Sequence, residues 1–134
     1  MKLRILVFTV LVSCLISLPP AFAQETSSLE VSKAIICVDV FDRMPVDVGT
    51  SFSASIGRLY CLTKIEGAQD PIEVFHVWYF GNKERAKVPL SVRSSSWRTF
   101  SSKIIQPHEI GQWFVDVEGP DGQVLKTIQF KVTP

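Results

Sequence analysis

The sequence predicts an all-β domain, built as a two-layer antiparallel sandwich of about seven strands. Three observations predict it. From Glu30 onward the apolar residues recur with a period of two, and no long window carries the apolar stripe of a helix. Clusters of Gly, Pro, Asn and Asp also interrupt the chain roughly every 8 to 12 residues, the spacing of short strands in all-β folds.

Before this domain, residues 1–23 have the pattern of a secretory signal peptide. Lys2 and Arg4 precede an apolar run over residues 5–18, which ends in prolines and a small-residue cleavage site. The run is too short to span a bilayer, which needs about 20 apolar residues. We therefore expect a cleaved leader and a mature domain over residues 24–134, with its core starting near residue 30. The mature chain is expected to lack a transmembrane helix and to be periplasmic or secreted.

Cys14 offers a second interpretation of the same leader. The run Leu11-Val12-Ser13-Cys14 has the form of a bacterial lipoprotein processing site, which would make an acylated Cys14 the first mature residue. The apolar residues that continue after Cys14 argue against this form of processing. A lipoprotein anchored through Cys14 is therefore the minor alternative.

In the first half of the domain, alternation and turn residues define two strands. Residues 33–40 alternate as a first strand that ends near Asp42, and residues 52–66 are predicted as one long second strand. Gly57 lies inside that second strand, where a missing side chain usually marks a bulge or the close approach of another backbone. A turn over residues 67–71 ends it.

In the second half, residues 72–80 are apolar on both faces, which predicts a central strand. Gly81-Asn82 suits a hairpin turn, and residues 85–92 return with apolar side chains on one face only. Pro89 lies on the other face and cannot donate a ladder hydrogen bond, so this strand is predicted at a sheet edge. Further strands are predicted over residues 97–105, 112–118 and 124–132.

This strand count matches a sandwich of immunoglobulin type. The antibody order of cysteine, tryptophan, cysteine is absent, because Trp78 follows both Cys37 and Cys61. In an oxidising compartment two cysteines in strand-like sequence either pair or are buried as small apolar side chains. We favour a Cys37–Cys61 disulfide, which would stabilise the fold by about 3.5 kcal/mol in the chain-entropy model. Two buried thiols are the alternative.

The charge balance argues against a nucleic-acid partner. Without Lys2 and Arg4 the 14 basic residues fall to 12, against 13 acidic ones. Basic residues concentrate in residues 83–103 and acidic ones in residues 104–125. We attribute this asymmetry to charge pairing between neighbouring strands, with steering of an anionic partner as the alternative.

Several sequence blocks together resemble a known family. They are Gly57-Arg58-Leu59-Tyr60-Cys61, His76-Val77-Trp78-Tyr79, Ser95 to Lys103, Gly111-Gln112-Trp113 and the Asp121-Gly122 turn. These blocks resemble the bacterial domain-of-unknown-function family numbered 2914, over nearly all of the mature chain. The resemblance implies a small β-sandwich that occurs alone or at the end of larger bacterial proteins. It implies neither an established activity nor catalytic residues.

The candidate ligand-binding residues combine aromatic rings with fixed hydrogen-bond donors: His76, Trp78, Trp97, Arg98 and Lys103. Rings supply flat apolar area and Arg98 supplies a bidentate fork, which suits a sugar ring or a peptide carboxylate. The alternative, which is commoner for such side chains, places His76 and the three tryptophans in the core. Arg98 would then be tied to backbone carbonyls or to a carboxylate such as Asp116.

No motif in the sequence proposes catalysis. The serines at 94–96 lack a nucleophile context, and neither a Cys-x-x-Cys motif nor a histidine cluster suggests a metal or cofactor. We therefore expect a non-catalytic binding or protein-interaction module of the bacterial periplasm or envelope, without a cofactor, whose partner is an envelope protein or glycan. A carbohydrate-binding module with at least two exposed, coplanar tryptophans is the alternative, and a hydrolase is a distant one. The oligomeric state is not predicted.

Overall fold

The computed structural model describes residues 28–134 and Ser17. Cys14 and, apart from Ser17, the predicted signal peptide lie outside the described residues. The described residues form nine strands: β1 (Glu30–Phe41), β2 (Met44–Gly49), β3 (Ser51–Ser53), β4 (Arg58–Glu66), β5 (Ile72–Phe80), β6 (Lys83–Val92), β7 (Ser96–Ile104), β8 (Gly111–Glu118) and β9 (Val124–Thr133). A short 3₁₀ turn, Ala54–Ile56, lies between β3 and β4.

The strands build two sheets. One has four strands in the order β2-β1-β4-β7, and the other has five in the order β3-β9-β8-β5-β6. Neighbours pair antiparallel, except that β3 runs parallel to β9. The predicted all-β sandwich is confirmed, and the separation of β1, β4 and β7 from β5, β8 and β9 follows the immunoglobulin plan. Within this part of the chain no helix is long and apolar enough to cross a membrane.

The predicted second strand, residues 52–66, is wrong as a single element. Gly57 has a φ of 75°, a conformation that glycine adopts without a Cβ penalty, and the 3₁₀ turn precedes it. On one side of this corner β3 pairs with β9, and on the other side β4 pairs with β1 and β7. Gly57 is therefore a corner at which the chain passes from one sheet to the other, rather than a bulge within a strand.

The hairpin of β1 and β2 was not predicted. Asp42 and Arg43 have φ values of 49° and 57°, and these two residues form the tight turn between the strands. Sequence patterning ends the first strand at this turn but gives no return strand, because Pro45 and Asp47 are poor strand residues. The other turns agree with prediction, including Gly81-Asn82 between β5 and β6 and the Gly119 to Gly122 turn before β9.

The core between the sheets is aromatic. Trp78 from β5, Trp113 from β8 and Phe130 from β9 are the largest fully buried side chains. Trp113 stacks on Phe130 at 5.9 Å between ring centroids, and Trp78 meets Phe130 edge to face at 6.1 Å. Such ring pairs contribute about 0.5 to 1.5 kcal/mol beyond the burial of their area. The apolar face of β6 covers this core, and β6 is an edge strand as predicted.

Cys37 and Cys61 are both buried with free thiols, so the predicted disulfide is not formed in this structure. The strand register gives the reason. Ile36, rather than Cys37, lies opposite Cys61 across the β1–β4 pair. Opposite residues share a face and successive residues alternate, so the two cysteines point to opposite faces of the sheet. Burial raises the pKa of both thiols, which keeps them protonated.

Candidate functional site

His76 is the centre of a buried polar network rather than a surface group. Its Nε2 lies 3.0 Å from Thr63 Oγ1, and its Nδ1 lies 2.7 Å from Ser101 Oγ. The indole N–H of Trp78 donates to the same Ser101 oxygen at 3.0 Å. Both ring nitrogens therefore have partners, and the network joins β4, β5 and β7 across the two sheets.

The hydrogen-bond network around His76 has a structural role. Burial lowers the pKa of His76 to about 4, so the ring is neutral at physiological pH. Ser101 is buried and already accepts from Trp78, which leaves its oxygen inaccessible to a substrate. A satisfied buried network of this kind fixes the relative position of the sheets.

An open cleft of about 350 Å³ lies where β6 and β7 approach each other at the edge of the sandwich. We call it the arginine cleft, and its lining residues are Arg43, Ser91, Arg93, Trp97, Arg98, Thr99 and Phe100. Three of them carry a guanidinium, two carry a hydroxyl and two are aromatic. No lining residue is acidic.

Strand alternation places Trp97 and Arg98 in different parts of this cleft. Trp97 lies opposite Ile65, a core residue, and packs half-buried against the apolar cluster that contains it. Arg98 lies opposite Lys64, so it projects from the outer face of the four-stranded sheet. The cleft thus combines a ring anchored in the core with a charge on the surface.

The tip of the β1–β2 hairpin forms the third wall of the cleft. β2 and β7 are at opposite edges of their sheet, yet the Arg43 guanidinium lies 5.2 Å from the centroid of the Trp97 ring. Arg98 Nη1 also lies 2.8 Å from the sulfur of Met44. The hairpin therefore bends across the outer face of the sheet. Leu62, which lies on that outer face, is fully buried.

The three guanidiniums of the cleft have no protein counter-charge in the described residues. The ion pairs of residues 28–134 are Lys64–Glu66 at 3.5 Å and Arg85–Glu109 at 3.0 Å. Neither includes a cleft arginine. Arg98 donates to a thioether, which is a weak acceptor for a charged donor. The cleft is therefore electropositive and has unused hydrogen-bond donors.

A buried carboxylate outside the cleft accounts for part of the charge pattern. Glu109, in the loop between β7 and β8, is 1% exposed and forms an ion pair with Arg85 of β6. Its Oε1 accepts the backbone N–H of Gln106, and its carbonyl accepts the indole N–H of Trp113. This pair joins the basic and acidic regions, but it links a strand to a loop, whereas the sequence predicts pairing between neighbouring strands.

The five predicted ligand-binding residues do not form one surface. His76 and Trp78 are buried in the core, whereas Trp97 and Arg98 line the arginine cleft. Lys103 lies five positions further along β7, about 16 Å away at strand spacing, and donates to the Ile104 carbonyl. Arg98 does not contact Asp116, which accepts a hydrogen bond from Thr127 on the other sheet.

Two arginines of the cleft were not among the ligand-binding residues predicted from the sequence. Arg93 belongs to the basic stretch of residues 83–103, so the sequence indicated its charge. The sequence did not indicate that it lines a cleft with Trp97 and Arg98. Arg43 follows a turn signal, and only the bend of the hairpin brings it to Trp97. No periodicity in the sequence reports such a bend, since the contact joins residues more than fifty positions apart.

The exposed tryptophan pair that a sugar platform requires is absent from the described residues. Trp78 and Trp113 are in the core, and the face of Trp97 carries Arg43. On the outer face of the five-stranded sheet, Tyr79 and Phe114 stack on each other at 4.5 Å with planes 11° apart. These two rings cover each other instead of lying side by side. The same part of the chain has no cluster of three or more potential metal ligands.

Comparison with known proteins supports the family that the sequence resembles. Residues 71–132 match the family described as protein of unknown function (DUF2914), a shorter region than the resemblance covers, because the Gly57 to Cys61 block lies outside the match. The matched region includes β5 to β8 and nearly all of β9, and it contributes all residues of the arginine cleft except Arg43. No curated protein matches the chain.

Proposed function

Because residues 71–132 match a family without a described function, we propose a function from the site itself. The protein is an exported, non-catalytic binding module of the bacterial periplasm or envelope, and it takes up an acidic group of an envelope glycan or protein in the arginine cleft. The observation that carries this proposal is the unbalanced charge of the cleft. Three guanidiniums line about 350 Å³ without an acidic neighbour among the lining residues.

The charge arrangement supports a ligand rather than a structural role. Arginines that stabilise a fold are usually paired with carboxylates or backbone carbonyls, as Arg85 is with Glu109. Gathering Arg43, Arg93 and Arg98 without such partners brings like charges together, which is unfavourable until an anion offsets it. The hydroxyls of Ser91 and Thr99 add neutral donors to the same cleft.

Export is proposed from the leader pattern of residues 1–23. The test is fractionation of a bacterial host that expresses the full chain. We expect a periplasmic or envelope protein that is shorter than its precursor by the leader. A charge placed in the apolar run, Leu11→Arg, should keep the precursor in the cytoplasm. A wild-type chain that remains unprocessed in the cytoplasm would refute export.

Binding is tested through tryptophan fluorescence, because one ring reports on the cleft. Trp78 and Trp113 are fully buried, so acrylamide quenching should act mainly on half-buried Trp97. We expect acidic envelope glycans to protect Trp97 from quenching and neutral glycans to leave it unprotected. Arg98→Gln should abolish the protection. Lys126→Gln removes the same charge from an exposed position on β9 and serves as the matched control.

The proposal fails if acidic and neutral glycans protect Trp97 equally, or if Arg98→Gln binds as the wild type does. Either result would mean that the cleft charges do not recognise the ligand.

A further inference from the structure

We infer that the acidic group bound in the arginine cleft is a phosphate monoester, held by Arg43, Arg93 and Arg98. This inference rests on the proposed function and names the ligand chemistry of the same site. It follows from the number of charges, from the way in which Arg43 is fixed, and from the conformation of the turn that carries it.

The number of unpaired donors exceeds what a carboxylate can use. One guanidinium fork already matches the two oxygens of a carboxylate, which carries a single negative charge. Three forks and two hydroxyls line this cleft. A phosphate monoester carries a charge of about −1.5 to −2 at pH 7 and offers three acceptor oxygens, so it can use all three arginines.

Arg43 is fixed over the Trp97 ring and is therefore preorganised for an anion. Its guanidinium lies 5.2 Å from the ring centroid, in the arrangement of a cation–π contact. This contact uses none of the N–H donors of Arg43 in a hydrogen bond to the protein, so they remain free for a ligand. The other side of Trp97 packs against the core, so the ring acts as a rigid support for the arginine rather than as a platform for a sugar.

The turn that carries Arg43 is unusual at its second residue. Asp42 and Arg43 have φ values of 49° and 57°; aspartate is common at the first position of such a two-residue hairpin turn, but glycine normally fills the second. An arginine in this conformation is less favourable for the turn than a glycine would be. Its side chain, which a glycine would lack, lines the cleft. Met44 is the next residue of the hairpin, and its sulfur accepts a hydrogen bond from Arg98. This contact holds the tip of the hairpin in place.

The experiment measures Trp97 protection and calorimetric binding with the full exported protein at low ionic strength. The probes are inorganic phosphate, glucose 6-phosphate, glucuronate as the matched carboxylate, and vesicles that contain phosphatidic acid. We expect glucose 6-phosphate to bind at least about tenfold more tightly than glucuronate. Binding should weaken as the pH falls below about 6, where the phosphate loses its second charge. Preference for vesicles or for the sugar phosphate identifies the carrier, and either preference supports the inference.

Arg43→Gly is the decisive variant, because glycine accepts the positive φ of the turn and should leave folding intact. We expect its affinity for glucose 6-phosphate to fall about tenfold or more, while Lys126→Gln changes little. Wild-type affinity in Arg43→Gly would overturn the inference. Glucuronate bound as tightly as the phosphate would overturn the ligand class but leave the proposed function standing. No binding of any anion would overturn both.

Discussion

Replacing His76 by Gln should remove a pH dependence of stability that the wild-type protein shows between pH 7.5 and pH 5. Burial lowers the pKa of His76 to about 4, from an ordinary value of 6.5. Between these two values the unfolded chain binds a proton on this ring and the folded chain does not. The contribution of the neutral ring is therefore complete above pH 6.5 and is lost as the pH falls towards 4.

The size of the effect follows from the two pKa values. At pH 5 the wild-type protein should lose about 2 kcal/mol of unfolding free energy through His76, and near pH 4 about 3 kcal/mol. This is a large part of the roughly 5 to 15 kcal/mol available to a typical domain. Thr63 and Ser101 contact the ring in the folded state, and Trp78 donates to Ser101; none of the three provides a negative charge that would hold the proton.

Urea unfolding at pH 7.5, 6 and 5 measures this contribution in wild type, His76→Gln and His108→Gln. Carboxylates also titrate over this range, so the quantity of interest is the stability difference between variant and wild type. For His76→Gln that difference should shrink by about 2 kcal/mol from pH 7.5 to pH 5. The other histidine, His108, is exposed and serves as the matched control substitution. A difference for His76→Gln that does not change with pH would refute the reasoning.

Three further substitutions test the packing by urea unfolding at pH 7.5. Ser101→Ala removes the hydroxyl that His76 and Trp78 share as a hydrogen-bond partner and should lower stability by about 2 to 4 kcal/mol; a loss below 1 kcal/mol would show that the network is dispensable. Arg85→Met leaves the Glu109 carboxylate buried without its cation and should lower stability by about 3 to 5 kcal/mol, unless Glu109→Gln is added. Gly67→Ala would place its Cβ in steric conflict with the backbone carbonyl oxygen of Ser28 and should lower stability by about 3 kcal/mol or more. Gly81→Ala meets open space and should lower it by only about 1 to 2 kcal/mol, so equal losses at the two glycines would contradict the geometry.

Local patterning was sufficient for most of the fold. Apolar patterning gave the positions of β5 to β9 closely, because each strand has a buried face, and glycines mark the turns before β6 and β9. Patterning failed at Gly57, because the residues of β3 and β4 form one continuous run of strand-like sequence. The two strands nevertheless belong to different sheets. Sheet membership depends on partners far away in the sequence. Alternation alone does not encode those partners.

The candidate site was partly predictable for the same reason. Trp97 and Arg98 were identified from their chemistry, and the structure brings them to one cleft. His76 and Trp78 have equally suitable chemistry, but their side chains face the core. There both form hydrogen bonds with the hydroxyl of Ser101. The predicted disulfide was not formed because register, rather than strand proximity, decides which side chains meet.

The parallel pairing of β3 with β9 has a consequence for the order of folding. Phe52 lies opposite Val132, so an early segment of the domain finds its partner in the last strand of the sandwich. Contacts of such long separation slow folding, because loop-closure entropy is lost before the contact forms. The five-stranded sheet cannot acquire both of its edges until residues 131–133 have left the ribosome. The sandwich should therefore close late in folding, and the strands made earlier should remain open until β9 joins them.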